Sequence, residues 1–385
     1  VKNWVEISAA RLAENCRATR TAAGAGAETL AVIKADAYGH SAALCAPVLT
    51  RAGARWLGVT DVQEGEMVRE ALAESATRIM VMSGMELGDA PTLVANGLAP
   101  VVWTPEQVAA MDRAGRAAGQ RVPVHVEVDT GMARQGAQLG EPLRQVLQKL
   151  VDSRWVACEG VFTHLCCAEV AGAATTAVSE RLFADALHEV AKMALRPEFV
   201  HLANTSALDE GSTMPWVRQQ AKKLGARAMV RSGLALYGYC LPLENADEPA
   251  ARLRSKVKPV MTWKARVLGV REVEAGATVG YGATFVAERP MRLALLAAGY
   301  ADGFRREASS GLGNGWVIVN GRRAPVVGRV SMNLTTVDVS GIDDIAEGGE
   351  AVLLGEGVSA EDHARWAQTI PYEILCGIRG TRVLR

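Results

Sequence analysis

The chain predicts an N-terminal (β/α)8 barrel followed by a smaller, mainly β domain. Two observations carry this. Over the first 240 or so residues, short apolar runs alternate with longer Ala-rich segments, and eight such pairs match a (β/α)8 barrel in count and length. Beyond a polar stretch at Glu244–Arg254, β-branched runs take over, punctuated by Gly and Asn. A doubly wound open sheet is the alternative for the first part. The expected division is 8–242 for the barrel, and 1–7 with 243–385 for the β-rich domain.

The eight barrel strands are expected at Leu30–Lys34, Arg55–Thr60, Arg78–Met82, Leu98–Trp103, Val122–Asp129, Val156–Leu165, Phe199–Leu202 and Ala228–Ser232. Helix-like segments rich in Ala, Leu, Arg and Glu separate them, such as Ala42–Ala52, Val62–Leu72, Pro105–Ala118 and Ser179–Ala194. Asp61 and Thr104 stand just before two of these as N-caps, and Pro105 takes the first-turn position. In the second domain, strands are expected at Met261–Val273, Met291–Ala298, Trp316–Val319, Ala324–Val330, Leu334–Val339 and Ala351–Leu354. Asn320-Gly321 between two runs signals a type I′ hairpin. Trp4–Ile7 also reads as a strand and could join either domain.

Composition narrows the function. Lys+Arg and Asp+Glu both number 42, so net charge recruits neither nucleic acid nor a membrane. Charges interrupt every apolar window before transmembrane length. The seven cysteines are scattered, mostly in apolar segments, and none has CxxC spacing. They read as buried thiols of a cytoplasmic protein, not as disulfides or a metal site; no metal is expected. The first residue is Val1, which leaves a removed leader segment open.

Chemistry in a barrel belongs at the C-terminal ends of its strands. Lys34 ends the first run, where an amine can form a Schiff base with a carbonyl; the bland reading is a surface lysine. Asp129 and Arg134 follow the fifth strand, His164 ends the sixth, and Asn204 and Thr205 follow the seventh. Arg231, Ser232 and Gly233 end the eighth. The ends of strands seven and eight form the usual phosphate site of such barrels. A lysine on one side of the mouth and a phosphate cradle on the other suggest pyridoxal 5′-phosphate.

The stretch AVIKADAYGH at 31–40 resembles the cofactor-lysine motif of the alanine racemases. The likeness continues in WLGVTDVQEG, VDTGMARQG, FTHL, HLANTS, RSGLALYG, VGYGATF, AAGYADGFRR, VVGRVSMN and IPYEI, in the family's order. The resemblance implies an enzyme that interconverts L- and D-alanine, acting as a homodimer on a small amino-acid substrate. It implies that Lys34 carries the cofactor and removes a proton from one face of Cα, while Tyr281 of the other subunit serves the opposite face. His164 would contact that tyrosine and Arg231, and the positive field would make the tyrosine a better base. Tyr38, Thr205 (where the family usually has serine), Ser232 or Gly233 with Leu234, and Tyr372 would hold the phosphate, with Asn204 and His164 beside the cofactor. Arg231 would face the pyridine nitrogen and leave it unprotonated. Arg134 and the backbone at Met332 would hold the substrate carboxylate. Glu169, Tyr300, Arg306, Arg329 and Tyr372 would line the entrance.

Departures from the family pattern count too. Glu127 stands where many members carry a carbamylated lysine, and is expected to supply that negative charge beside Arg134 directly. Asn333 and Glu169 replace aspartates. Other readings are a serine or broad-specificity racemase, and a non-catalytic pyridoxal-phosphate-binding barrel, which would lack the β domain and its tyrosine. A fold-related decarboxylase would be longer, with an acidic residue in place of Arg231.

Overall fold

The computed structural model describes residues 2–73, 75–245 and 252–385. They form two compact units: one of Arg11–Ala37 and Ala42–Lys258, the other of the first ten residues, Tyr38–Ser41 and Pro259–Arg385. Of the expected linker, residues 246–251 lie outside the described residues.

The first unit is a closed barrel of eight parallel strands: Glu28–Val32, Trp56–Val59, Arg78–Val81, Leu98–Val102, Val122–Asp129, Val156–Phe162, Phe199–His201 and Arg227–Ser232. The fourth and fifth strands pair at Val101 with His125, and the first and eighth at Thr29 with Val230. Both faces of each strand are covered, so the strands read as near-continuous apolar runs. The open sheet is thereby excluded. The cap signals are used as expected. Asp61 accepts from the Glu64 amide, and Thr104 forms a capping box with Gln107 behind Pro105. The helix expected from Ser179 begins earlier and spans Ala174–Lys192.

The interior is not the usual filling of branched aliphatics. Trp56, His125 and Phe199 meet edge to face and stacked, and Phe162 stacks on His201 with ring centroids 4.6 Å apart. Such aromatic pairs add about 0.5–1.5 kcal/mol each beyond their burial.

One strand end differs from the sequence reading. The first strand stops at Val32, not Lys34, although the Ile33 amide still donates to the Gly58 carbonyl at 2.8 Å. From there Ala35, Asp36, Ala37 and Tyr38 adopt φ of 53°, 51°, 56° and 54°. This is a left-handed turn built of non-glycine residues, at a cost of about 1–2 kcal/mol per residue. Local bonds offset part of it: the Ala37 amide donates to the Ile33 carbonyl, and Asp36 Oδ1 accepts from the Ala42 amide at 2.7 Å.

In the second unit, Asn3–Ile7 lies between Met261–Val273, to which it is antiparallel, and Thr381–Leu384, to which it is parallel. Alternate residues of Met261–Val273 point into the core, with Trp263 fully buried. The strand expected at Ala324–Val330 is Arg322–Pro325; it forms the hairpin with Trp316–Val319, and Asn320 and Gly321 both have positive φ. Two short helices, Ala360–Ala367 and Pro371–Gly377, complete the unit.

The cysteines are free, as expected, but only Cys16, Cys45 and Cys240 are buried; Cys158 and Cys167 are half-buried, and Cys166 and Cys376 are exposed. The adjacent pair lies on the irregular segment after the sixth strand, where no strand face covers it. Among the described residues no helix is long and apolar enough to cross a membrane.

Candidate active site

Arg231 sits one residue before the end of the eighth strand and is buried. Its hydrogen bonds go to neutral groups: Nη1 donates to His201 Nδ1 at 3.0 Å, and Nη2 to the Thr163 carbonyl at 2.8 Å and to His164 Nδ1 at 3.0 Å. Its face covers the Phe162 ring at 4.7 Å. Burial pushes its pKa down to about 10, Glu127 opposing and Arg134 adding to the shift, so the group stays charged at neutral pH. The plain alternative, a structural ion pair, fails, because no carboxylate hydrogen-bonds to it. A guanidinium has donors only, so it suits an unprotonated ring nitrogen.

His164 follows the sixth strand. Burial, then the charges of Arg231, Arg134 and Lys34, push its pKa down to about 3. It is therefore neutral near pH 7. Since Nδ1 accepts from Arg231, the proton is on Nε2.

The ends of strands seven and eight make a cluster of donors. Thr205 Oγ1 accepts from the Gly233 amide at 3.1 Å and lies 3.4 Å from Ser232 Oγ. Leu234 is buried and opens a single tight turn. Asn204 spends its side-chain oxygen on the Ala207 amide, capping the short helix Thr205–Glu210. It shapes this corner through that cap. Hydroxyls and backbone N–H groups without a carboxylate suit a phosphate.

Glu127, on the fifth strand, is only 3% exposed, so it is not an outward-facing strand residue. Its hydrogen bond comes from Gln135, which also donates to the Met82 carbonyl, while the charge of Arg134 acts on it through space. Burial raises the Glu127 pKa, while Gln135, Arg231 and Arg134 work against the rise. Arg134 and Gln135 ride on a loop that Asp129 folds, its Oδ1 accepting from the amides of Gly131, Met132 and Ala133 at 3.0–3.1 Å. Arg134 itself is exposed, and Glu169 is half-buried on the segment after the sixth strand. Lys34 is half-buried at the start of the left-handed turn.

In the second unit, Tyr38 and Tyr372 face each other with ring centroids 5.8 Å apart. Burial, with Tyr372 and Cys376 nearby, pushes the Tyr38 hydroxyl well up, so it remains a donor. Tyr281 is 71% exposed on a turn between Gly280 and Gly282, both at positive φ. Met332 and Tyr300 are exposed, and the two neighbouring segments are tied by Ala301 N to Met332 O at 2.8 Å. Arg306 and Arg329 are exposed. Asn333 donates to Asp302 at 3.5 Å.

Sequence reasoning missed His201 and four other polar residues. Beyond Arg231 and His201, His201 Nε2 lies 3.0 Å from His125 Nδ1, His125 Nε2 lies 3.4 Å from Glu159 Oε2, and Glu159 pairs with Arg78. Gln135 was the fourth partner overlooked. The available signal was charge and imidazole inside otherwise apolar strands, as in VPVHVEVD and VACEGVF.

Comparison with known proteins agrees with this layout. The family described as "Alanine racemase, N-terminal domain" matches residues 7–241, and "Alanine racemase, C-terminal domain" matches 260–385. An alanine racemase of Symbiobacterium thermophilum is 36% identical over 379 residues, covering 97% of this chain and 94% of that protein. The solved alanine racemase of Streptomyces coelicolor superposes with a TM-score of 0.89 at 33% identity, over 100% of this chain and 98% of the other. That of Bartonella henselae, solved with covalently bound pyridoxal phosphate, gives 0.83 at 26% identity, over 100% of both chains. The chain belongs to the alanine racemase family.

Proposed function

We propose that this chain is an alanine racemase that uses pyridoxal 5′-phosphate and works as a homodimer. The observation that carries the reading is buried Arg231, a charged group at the barrel mouth whose hydrogen bonds all go to neutral partners. The donor set supports the cofactor: Thr205, Ser232 and Gly233 would hold a phosphate, and Lys34 would hold the aldehyde carbon; the family pattern adds Tyr38 and Tyr372 as phosphate donors. When bound, the cofactor supplies a sink for the electrons left on Cα.

The chain's own residues then divide the work. Arg134 and the Met332 amide bind the substrate carboxylate. Arg231, which has donors only, would face the ring nitrogen and leave it unprotonated. Lys34 Nζ exchanges a proton with one face of Cα, and Tyr281 Oη of the partner subunit with the other. Neutral His164 donates its Nε2–H to that tyrosine's oxygen, steadying it as the proton leaves. The exposure of Tyr281, at 71%, suits a side chain that serves a second copy. Glu127 supplies a buried negative charge that acts on Arg134 and Arg231 through space, with Gln135 holding it in place.

The test is exchange of the Cα hydrogen of L- and D-alanine in deuterated buffer. Lys34→Ala should lose both directions and the cofactor's absorbance band. Tyr281→Phe should lose racemisation and the exchange of one enantiomer, keeping the exchange that Lys34 serves and the band. Intact exchange in both directions in Tyr281→Phe would end the two-base account, and faster turnover of serine or lysine than of alanine would replace the substrate. A sedimentation profile of a monomer at working concentration would remove the shared site.

A further inference from the structure

We infer that Glu159, His125 and His201 act as a positioning relay that fixes Arg231 from the opposite end of the barrel. The inference rests on the reading of Arg231 as the partner of the cofactor ring. What each atom can give or accept fixes the direction of every link. Arg231 has only donors, so His201 Nδ1, 3.0 Å away, must be unprotonated. A neutral His201 then carries its proton on Nε2, which lies 3.0 Å from His125 Nδ1. His125 Nδ1 must accept, so the His125 proton is on Nε2, 3.4 Å from the Glu159 carboxylate. Glu159 in turn is held by both terminal nitrogens of Arg78.

Every link has one permitted direction. Reversing any of them sets two N–H groups or two lone pairs against each other. The relay runs from Arg78, the first residue of the third strand, to Arg231 near the end of the eighth. It is enclosed: His125 and His201 are fully buried, Phe162 stacks on His201, and Trp56 meets His125 edge to face. Gly160 makes the space, since a Cβ there would come 2.1 Å from His125 Nδ1. The charges facing the rings are Glu159, which favours a proton on His125, and Arg78 and Arg231, which oppose it; burial and the arginines keep both rings neutral. The carboxylate at the far end thus faces the last proton of the tautomers that Arg231 imposes on the two imidazoles. Arg231 itself has four acceptors, His201 Nδ1, the Thr163 and Leu202 carbonyls and His164 Nδ1, which lock the plane of its guanidinium.

The test uses the full chain with 15N-labelled histidine, read without and with pyridoxal 5′-phosphate. In the parent protein without cofactor, His125 and His201 should report neutral rings protonated at Nε2 throughout the range of about pH 5 to 8. Glu159→Gln removes the anion that faces the His125 Nε2 proton, and should shift the His125 Nε2 signal and weaken cofactor binding about tenfold. His125→Phe leaves the His201 Nε2–H without an acceptor, and should weaken cofactor binding to the same extent. His125→Gln, whose amide can both accept and donate, should return cofactor affinity to within about twofold of the parent value. Glu198→Gln, at an exposed pair with Arg227, should change neither. A parent His201 protonated at Nδ1 would overturn the relay. So would a His125 signal unmoved in Glu159→Gln, which keeps the shape of the side chain even if His125→Phe fails to fold. A His125 signal that shifts while cofactor affinity and absorbance stay at parent values would leave the relay standing and remove the role assigned to Arg231.

Discussion

Replacing Ala35 with glycine should stabilise this protein, which is the opposite of what glycine does in an ordinary helix. Ala35 is exposed and sits at φ 53°, the first of four consecutive left-handed residues. An L side chain there costs about 1–2 kcal/mol that glycine does not incur. Glycine gives back about 0.4–1 kcal/mol through the greater freedom of the unfolded chain. The net expectation is a gain of roughly 0.5–1 kcal/mol. Ala117→Gly is the matched control, exposed near the end of the right-handed helix Pro105–Ala118, and should lose about 0.5–1 kcal/mol. The two variants should therefore move the urea midpoint of the chain in opposite directions, and Ala35→Val should fall below the parent. If Ala35→Gly destabilises as much as Ala117→Gly, the turn is not strained and the reasoning fails.

Other outcomes are open to direct measurement. Gly160→Ala forces a Cβ against a ring that cannot move, and should destabilise by about 1–3 kcal/mol in the same unfolding assay; a parent-like midpoint would contradict the packing. Acid should weaken the fold through its buried histidines. His164 and His363 are held down to about 3 and about 4, and His125 and His201 are also lowered, all chiefly by burial. In the unfolded chain they take protons near pH 6.5, so as pH falls below that value stability should drop by about 1.4 kcal/mol per pH unit for His164 and for His363 until their folded values are reached, with His125 and His201 adding in the same direction. Glu127, raised by burial, acts the other way over a narrower window just above its usual range. A midpoint flat between pH 6.5 and 4.5 would refute this. Glu127→Gln should lower kcat/KM for alanine about tenfold, through loss of a charge acting on Arg134 and Arg231, and bicarbonate should not alter the parent rate; a rate that rises with added bicarbonate would show that another anion does this work.

Much of the barrel was legible because a strand covered on both faces must be apolar throughout, and the cap residues at Asp61 and Thr104 announce their helices. The mouth was legible for a related reason: Lys34, His164, Thr205 and Arg231 each interrupt an apolar run where the chain leaves the sheet. What stayed hidden is instructive. Nothing in Ala35, Asp36, Ala37 and Tyr38 favours left-handed backbone, so the turn reads as an unremarkable loop. The relay was hidden because its members are far apart in sequence, 76 residues between His125 and His201 and 81 between Arg78 and Glu159. A histidine in a strand looks the same whether it is a satisfied core residue or a link between two others. The half-exposed strand Thr381–Leu384 was missed because it lacks the alternation that a one-sided strand should show.

The position of Asn3–Ile7 has a consequence for how the molecule is made. These residues leave the ribosome ahead of the barrel, yet lie between strands that begin at Met261 and Thr381. At about 5–20 residues per second, those five residues wait roughly 20 s to more than a minute for the second neighbour. Arg11–Ala37 and Ala42–Lys258 can meanwhile assemble on local and intermediate contacts alone. During that interval Trp4, Val5 and Ile7, all buried in the finished sheet, have nothing to cover them. Among the described strands, Asn3–Ile7 is thus the one a nascent-chain chaperone would hold longest for its last neighbour.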